Sequence, residues 1–551
     1  MIHDNYIRYF SQSINDNWDL EALSDYQGKT VTYGQVGIQI EALHKIFLSA
    51  GVKEQDKIAL IGNNSVNWAV TYLAAISYGA VIVPILNDFQ AEDIHHIINH
   101  SDAVLFFLSQ YHYDLVDEDQ MPQLMALINL ENFQILFERR KQAKDSLNRL
   151  SETLIASGSR LPEKRKISLN FIENDKLAAI VYTSGTTGLS KGVMLSHNCM
   201  LANLLYAREN MPLVVSNKIL SFLPLAHAYG CAFEFLFPFT VGCHITFLGK
   251  IPSPKVIVKA FSEIRPELIL SVPLIIEKIY RKQLKPQISK EPLKTMLKLP
   301  VLNTMIANKI NDKLSTAFGN NFKELVLGGA AFAPEVEAFL RKIKFHYTVG
   351  YGMTECGPLI SYAGWRDFKQ ASVGRVVNWL EVKIDSPQPD KVIGEIMVRG
   401  ESIMDGYYKN EQATAETIEK DGWMHTGDLG IIDSDGFIFI KGRKKNMILG
   451  PSGINIYPEE IEARLNNLPY ILESLVIEQD NKIVALVYPD FEKTDARDIS
   501  DPQILTLMQE NLIEINKKLP AYSRISQIKM IPEEFVKTPT NKIKRYLYTS
   551  I

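Results

Sequence analysis

Residues 182–192 read Tyr182-Thr183-Ser184-Gly185-Thr186-Thr187-Gly188-Leu189-Ser190-Lys191-Gly192. An apolar run, 178–182, leads directly into them, so the segment begins where a buried strand ends. Its glycines let the backbone approach an oxyanion closely, and its hydroxyls and the Lys191 ammonium supply donors and positive charge. The spacing of a Walker A loop is absent. The pattern predicts a loop that holds a polyphosphate, and the alternative is a plain Ser/Gly loop.

The runs around this loop alternate with helical patterns up to about residue 440. Strands separated by helices of this length are typical of α/β architecture with largely parallel sheets. We therefore predict a large N-terminal lobe, residues 1–444, built from several subdomains of this kind. The predicted strands are 57–61, 81–85, 103–108, 219–223, 244–248, 268–271 and 324–327, and the predicted helices include 66–78 and 90–100.

The sequence pattern changes after Gly394. Residues 395–399 and 437–441 alternate in polarity and Asp-Gly pairs mark turns between them, which predicts a small antiparallel β unit at about 394–441. The polar and basic residues 441–446 suit a hinge. Beyond it, residues 445–551 have the size and mixed pattern of a small α+β C-terminal lobe.

The composition argues against several classes of protein. Of 551 residues, 46% are hydrophobic and 22% are charged, as in a soluble globular protein, and the net charge of −4 argues against a nucleic-acid partner. Four cysteines without a C-x-x-C pair argue against a disulfide scaffold or a Cys-rich zinc site, so we expect a cytoplasmic location. No signal peptide is recognisable. Residues 68–86 carry no charge, but Gly79 interrupts them, which predicts a buried helix, a turn and a strand rather than a membrane span.

Three further motifs carry polar side chains that suit a nucleotide. Residues 350–355, Gly350-Tyr351-Gly352-Met353-Thr354-Glu355, combine a ring for a flat base with a hydroxyl and a carboxylate for a phosphate and its Mg²⁺, although a β-turn would look similar. In 422–429, Asp428 is either an acceptor for a ribose diol or a turn aspartate. In 538–545, Lys542 either neutralises charge on a phosphoryl centre or belongs to a basic tail.

Together and in this order, the four motifs resemble the adenylate-forming superfamily of acyl-CoA synthetases, luciferases and peptide-synthetase adenylation domains. The resemblance runs from Thr32 to Lys542 and is closest to bacterial long-chain fatty acid–CoA ligases, through residues 223–229, 272–273 and 277–280. It implies an enzyme that uses ATP and Mg²⁺ to convert a fatty acid to acyl-AMP with release of pyrophosphate. Coenzyme A is the implied co-substrate, which accepts the acyl group as a thioester.

The resemblance also implies a role for individual residues. The implied catalytic residues are Lys542, Glu355, Thr354 and His227, and the implied Mg²⁺ ligands are Glu355 and Thr187. The implied phosphate loop contains Thr183, Ser184, Gly185, Thr186, Thr187, Gly188 and Lys191. Further nucleotide contacts are implied for Gly329, Tyr351, Gly352, Thr354, Asp428 and Arg443. Members of the superfamily rotate the small lobe between the two half-reactions, which implies a hinge at Lys445 and a place for Gly453 beside the pantetheine arm of coenzyme A.

The acyl pocket is expected near His227, which is either a residue of the carboxylate entrance or a structural histidine. Small residues would leave a channel open for a long acyl chain. The resemblance implies that the pocket is lined by Tyr229, Gly230, Val272, Gly328 and Ala330.

Three alternative functions remain open on the sequence. They are a ligase that delivers acyl-AMP to a carrier protein, a ligase for medium-chain or aryl acids, and a non-catalytic fatty acid-binding protein for uptake. The sequence is compatible with a homodimer. The basic segment 281–300, interleaved with apolar residues, is either a solvated surface or a peripheral contact with the inner face of a membrane.

Overall fold

A computed structural model describes residues 2–139, 163–183, 191–249, 254–288, 300–449, 455–480, 482–495, 499–538 and 542–548. Most of the basic segment 281–300 lies outside these ranges. So do six of the predicted site residues: Ser184, Gly185, Thr186, Thr187, Gly188 and Gly453. The predicted phosphate loop is therefore described through its flanking strands, which end at Thr183 and begin again at Lys191.

An eight-stranded sheet forms the centre of the N-terminal lobe. Its central strands are parallel and buried, which suits their unbroken apolar sequences. The strand that ends at Thr183 pairs antiparallel with the strand that begins at Lys191, so the predicted phosphate loop connects two neighbouring strands. In spatial order the strands are Gly406–Tyr407, Lys191–Ser196, Leu177–Thr183, Val81–Ile85, Lys57–Ile61, Ala103–Leu108, Ala126–Asn129 and Ile135–Glu138.

Three smaller sheets surround it. One is parallel throughout, and Gly328 and Gly350 directly follow two of its strands, so both glycines lie at the carboxyl edge where α/β proteins place their ligands. Its strands are Leu268–Ser271, Glu324–Leu327 and Tyr347–Val349. The second contains Lys218–Ser221, His244–Phe247, Glu21–Asp25 and Thr30–Thr32. The third contains Tyr351–Gly352, Leu359–Tyr362 and Arg375–Val376.

The small β unit is a four-stranded antiparallel sheet. Its strands, in order, are Leu380–Asp385, Gly394–Gly400, Met424–Ile432 and Ile438–Arg443. The first of these lies N-terminal to the predicted segment 394–441, because residues 380–385 pair with 395–400 as a hairpin. The last strand continues to Arg443, so the turn between the lobes is shorter than the predicted 441–446 and comprises Lys444–Asn446.

Helices cover the sheets. Helix Val66–Tyr78 ends at Gly79, whose φ of 94° is left-handed, and strand Val81–Ile85 follows, as predicted. Among the described helices, none is both long and apolar enough to cross a membrane. The α-helices of this lobe are Tyr6–Asp16, Tyr33–Ala50, Val66–Tyr78, Ala91–Ser101, Gln110–Tyr113, His197–Asn210, Ala228–Gly230, Phe237–Val241, Pro254–Ile264, Pro273–Ile279, Lys285–Ile288, Pro300–Ala317, Pro334–Lys342 and Glu411–Thr417, with π-helical turns at Cys231–Leu236 and Tyr280–Leu284 and 3₁₀ turns at Glu118–Gln120 and Thr354–Cys356.

The C-terminal lobe has an apolar core of its own, which includes Ile456, Leu465 and Met508. Its sheets contain Ile448–Leu449 with Asn455–Ile456, and Ile471–Gln479 with Lys482–Pro489 and Gln527–Met530. Its helices are Pro458–Leu465, Phe491–Asp495 and Asp501–Lys518, with 3₁₀ turns at Ala521–Ser523 and Arg545–Leu547. The predicted fold class, a large α/β lobe followed by a small α+β lobe, is confirmed.

Candidate active site

The candidate site contains a triad in which Tyr351 and Asp428 are buried and Arg443 is half-buried. The Tyr351 hydroxyl donates to Asp428 Oδ2 at 2.7 Å, and Arg443 Nε lies 2.7 Å from Asp428 Oδ1. Asp428 and Arg443 are cross-strand partners in adjacent antiparallel strands, so the sheet register brings their side chains together. Burial raises the pKa of Asp428, while the charge of Arg443 and the hydrogen bond from Tyr351 act to lower it. The triad holds an anionic acceptor in a largely dry position.

Asp428 keeps acceptor capacity beyond this triad. A carboxylate has about four lone-pair positions. Among the described residues, Arg443 and Tyr351 occupy one position on each oxygen. The remaining position on each oxygen suits two adjacent hydroxyl groups, as in a ribose diol.

Glu355 lies where the first and second motifs meet. The Tyr407 hydroxyl donates to Glu355 Oε1 at 3.0 Å, and the Met404 N–H donates to the Glu355 carbonyl at 2.8 Å. Lys191 Nζ lies 4.7 Å from the centre of the Tyr407 ring, a cation–π contact. Tyr407 therefore links the Glu355 carboxylate to Lys191, the last residue of the predicted phosphate loop.

In the C-terminal lobe, the backbone of Lys542 is hydrogen-bonded to that of Thr538. The Thr538 N–H donates to the Lys542 carbonyl at 2.8 Å. A few residues further on, Arg545 Nη1 lies 2.7 Å from Oε1 of Glu462, which belongs to helix Pro458–Leu465. These contacts fix the backbone on both sides of the lysine.

Lys542 interacts with charged residues of the N-terminal lobe. Burial is the largest cause that lowers its pKa, Arg443 lowers it further, and the carboxylates of Asp428 and Glu355 raise it. Lys542 is nevertheless an exposed residue, so solvent reaches it in this structure. Its charge also lowers the pKa of His227. The structure thus brings together residues from motifs that are far apart in the chain.

His227 is a neutral imidazole in this site. Its Nδ1 accepts from the Tyr229 N–H at 3.2 Å, at the beginning of a helix, so Nε2 carries the proton. Burial, together with the charge of Lys542, lowers the pKa of His227 to about 4. The residue therefore caps a helix and also offers a hydrogen-bond donor rather than a positive charge.

Two glycines of the expected acyl channel accommodate protein neighbours. A Cβ atom at Gly230 would lie 2.7 Å from the Pro224 carbonyl oxygen, and one at Gly328 would lie 3.0 Å from the Tyr229 ring. The Tyr229 hydroxyl donates to the Val326 carbonyl at 3.1 Å and holds the ring there. The small size of these two residues is therefore explained by packing rather than by an open channel.

The backbone at Gly329, directly after Gly328, has open space beside it. Gly329 adopts a left-handed φ of 83°, and the nearest atom to a Cβ built on it is Val272 Cγ1, at 3.9 Å. Gly329 and Ala330 are exposed and Val272 is half-buried. A ligand can therefore approach the backbone at Gly329.

The close pairing of the hairpin before Thr354 requires Gly352. A Cβ atom there would lie 2.0 Å from the Pro358 carbonyl oxygen, because Gly352 pairs with Leu359. Thr354 and Glu355 follow as a 3₁₀ turn. Gly352 therefore shapes the loop that carries both polar residues.

The predicted hinge residue Lys445 lies in the short turn between the lobes and is exposed. Its neighbour Lys444 pairs with the buried Glu395 at 2.7 Å, and His425 Nδ1 lies 3.0 Å from the same carboxylate. The turn is therefore tied to the antiparallel sheet through Lys444.

Sequence reasoning missed two residues that contact the segment around Thr354 and Glu355: Tyr407 and Asn203. Tyr407 belongs to strand Gly406–Tyr407, which pairs with Lys191–Ser196, so the Asp-Gly turn predicted at 405–406 is wrong. Asn203 is a buried amide inside a helix, where an unpaired polar side chain would be costly. The signal that could have identified Asn203 is its polar side chain in the middle of a helix.

The fold and site define a two-lobed α/β protein in which the second lobe contributes a cation to a polar cleft of the first. The chain belongs to the AMP-binding enzyme family, which matches residues 10–408, and the AMP-binding enzyme C-terminal domain matches residues 445–549.

Known proteins with similar sequences span most of the chain. The chain is 27% identical to the long-chain-fatty-acid–CoA ligase FadD15 of Mycobacterium bovis, over 98% of this chain and 95% of that protein. It is 27% identical to the long-chain-fatty-acid–CoA ligase heimdall of Drosophila melanogaster, over 96% and 82%.

Solved structures with the same fold include the anthranilate CoA ligase AuaEII in complex with anthranoyl-AMP. Its TM-score is 0.79 at 19% identity, covering 100% of this chain and 97% of that one. ATP-bound MatB from Rhodopseudomonas palustris has a TM-score of 0.77 at 20% identity, covering 99% of both chains. At these identities the likeness shows a shared fold.

Proposed function

We propose that this protein is an AMP-forming acid–thiol ligase that activates a fatty acid, with a preference for long chains, and transfers the acyl group to coenzyme A. The Asp428–Arg443 pair, together with the electrostatic interaction of Lys542 with Asp428, Arg443 and Glu355, carries this proposal. A cation from a separate lobe, placed beside a diol acceptor and a second carboxylate, suits a reaction between two anions. The names of the relatives at 27% identity support the long-chain preference.

In the first half-reaction, a carboxylate oxygen of the acid attacks the α-phosphorus of ATP. The bond to the β-phosphate breaks, and pyrophosphate leaves. Lys542 bridges the two anionic groups as they meet, and an arriving phosphate favours the charged form of the lysine. His227 donates a hydrogen bond from Nε2 to the acid. We assign the nucleotide contacts to Thr183, Lys191, Gly329, Tyr351, Thr354, Asp428 and Arg443.

The Glu355 carboxylate fits a site for Mg²⁺. The Tyr407 hydroxyl fixes Oε1 and leaves acceptor capacity on both oxygens. Protein sites for Mg²⁺ commonly provide one or two carboxylates, and the substrate phosphates supply further oxygens. The bound ion would neutralise charge on the reacting phosphates.

In the second half-reaction, the thiol sulfur of coenzyme A attacks the acyl carbonyl carbon and AMP leaves. We propose that a rotation about Lys445 withdraws Lys542 after the first step, with Gly453 then beside the pantetheine arm. One cleft would serve both steps because different faces of the small lobe close it.

The test is acid-dependent release of pyrophosphate, measured with acids from acetate to oleate and with benzoate, with and without coenzyme A. We expect the highest kcat/KM with long-chain acids, and a thioester product only when coenzyme A is present. Accumulation of acyl-AMP despite coenzyme A, relieved by a phosphopantetheinyl carrier protein, would instead indicate a carrier-protein ligase. A maximum with benzoate would contradict the fatty acid assignment. Binding of fatty acid without any turnover would contradict the enzyme.

A further inference from the structure

Asn203 forms three buried hydrogen bonds near the candidate site. It is 4% exposed in the middle of helix His197–Asn210. Its Oδ1 accepts from the Leu359 N–H at 2.8 Å, and its Nδ2 donates to the carbonyls of Cys356 and Cys199, each at 3.0 Å. The amide thus uses both of its N–H groups and its oxygen, with two of the three bonds directed at one loop.

That loop carries Thr354 and Glu355. Asn203 binds it at Cys356, the residue after Glu355, and again at Leu359, where the return strand of the hairpin begins. Gly357 lies directly on the helix, because a Cβ atom there would be 3.1 Å from Asn203 Nδ2. A displacement at Asn203 must therefore move the backbone that carries the Glu355 carboxylate.

The same helix also anchors the segment that contacts Glu355 from the other side. Cys199 Sγ donates to the Ser402 carbonyl at 3.0 Å. Ser402 lies five residues before Tyr407, whose hydroxyl contacts Glu355. The Glu355 carboxylate is therefore held between two segments that are both bonded to one helix.

We propose that Asn203 is a positioning residue for the Glu355 carboxylate and, through it, for the divalent cation that accompanies ATP. The inference rests on the proposed function, which assigns Glu355 to that cation. The loop requires an amide side chain at residue 203, because only an amide both accepts from the Leu359 N–H and donates to the Cys356 carbonyl. Aspartate would keep the acceptor for Leu359 but place negative charge against the Cys356 carbonyl, whereas leucine would leave both backbone groups buried and unpaired.

The test compares Asn203→Asp with the matched control Asn129→Asp. Asn129 is also 4% exposed, and its Oδ1 likewise accepts from backbone N–H groups, those of Glu131 and Asn132 at 2.8 and 3.2 Å. It lies toward the opposite end of the eight-stranded sheet from Lys191–Ser196. Both variants bury one aspartate carboxylate, so the general cost of that burial affects both, whereas a positioning role affects only Asn203.

For Asn203→Asp we expect kcat/KM for ATP to fall on the order of tenfold to a hundredfold, with a higher Mg²⁺ concentration needed for half-maximal rate. The control should keep the wild-type Mg²⁺ dependence. Calorimetry of ATP binding with and without Mg²⁺ gives a second readout that needs no acid substrate. An Asn203→Asp protein with the Mg²⁺ dependence of the control in both assays would overturn the proposal.

Hydrogen exchange of the 352–359 amides separates the two levels of inference. We expect faster exchange there in Asn203→Asp and unchanged exchange in Asn129→Asp. Unchanged exchange in both would show that Asn203 does not hold the loop. Faster exchange with an unaltered response to Mg²⁺ would show that Asn203 holds the loop without positioning the cation, which overturns this proposal but leaves the proposed ligase activity intact.

Discussion

The substitution Asp428→Asn tests the assignment of the ribose site. The Asp428 carboxylate is 4% exposed and accepts from Tyr351 and Arg443, each at 2.7 Å. Asparagine has the same shape, but its amide nitrogen cannot accept a hydrogen bond. One triad contact and one free acceptor position therefore become donors, and the negative charge is lost.

The magnitude follows from the number of bonds. A hydrogen bond to a charged group contributes about 1.5–3 kcal/mol, and a neutral one contributes about 1 kcal/mol. Two diol bonds that become neutral or are lost would weaken ATP binding by about 2–3 kcal/mol, or about 30- to 150-fold. The free energy of unfolding should fall by less, about 1–2 kcal/mol, because Asn still fills the site and accepts one bond.

The assay is calorimetric binding of ATP and of 2′-deoxy-ATP to both proteins, with denaturant unfolding as the control. Wild-type protein should bind ATP about 10- to 150-fold more tightly than the deoxynucleotide, since one charged bond of about 1.5–3 kcal/mol is missing. Asp428→Asn should lose most of that discrimination. A variant that is less stable but discriminates between the two nucleotides as wild type does would show that Asp428 only supports the fold.

Four further predictions follow from the structure. Lys542→Ala should abolish acid-dependent pyrophosphate release but spare thioester formation from supplied acyl-AMP. Equal loss of both activities would contradict a role for Lys542 in the first half-reaction alone. Because the pKa of Lys542 is lowered, the decline of kcat/KM with rising pH should begin below the ordinary lysine range near 10.5. Lys542→Arg should shift this decline to higher pH. A decline at the same pH in the variant would assign it to another group. Burial lowers the pKa of His197 to about 4, and neither of its ring nitrogens has a hydrogen-bond partner among the described residues. Below about pH 6.5 the unfolded state therefore binds a proton at this histidine that the folded state does not. The free energy of unfolding of the wild type should fall by up to about 3 kcal/mol as pH drops from about 6.5 toward 4. Denaturant unfolding at pH 7 and pH 5 should show that decline reduced in His197→Phe, and equal declines would contradict the cause. Gly352→Ala should lower activity at least about tenfold and the free energy of unfolding by about 1–3 kcal/mol, because the new Cβ would clash with the Pro358 carbonyl of the neighbouring strand. Gly364→Ala is the control and should affect neither, because its Cβ would have no neighbour closer than 3.8 Å.

Much of the fold could be predicted because it depends on local pattern. The strands Lys57–Ile61 and Ala103–Leu108 have the predicted bounds, since each is an apolar run that ends at polar or turn-forming residues. The antiparallel sheet was harder. Strand Leu380–Asp385 alternates weakly, and only its pairing with the next strand shows that it belongs there. Edge strands of this kind take their structure from a partner.

The sequence by itself determined the polar motifs, their order and the chemistry of each side chain. Tertiary structure alone decided which of them meet. Tyr351 and Asp428 are 77 residues apart in the chain, and their 2.7 Å hydrogen bond depends on how two separate sheets pack. Tertiary structure also decided that Gly230 and Gly328 accommodate Pro224 and Tyr229, because a small residue shows that space is needed but not what fills it. Residue types follow from local sequence, whereas contacts follow from the packing of segments that the sequence keeps apart.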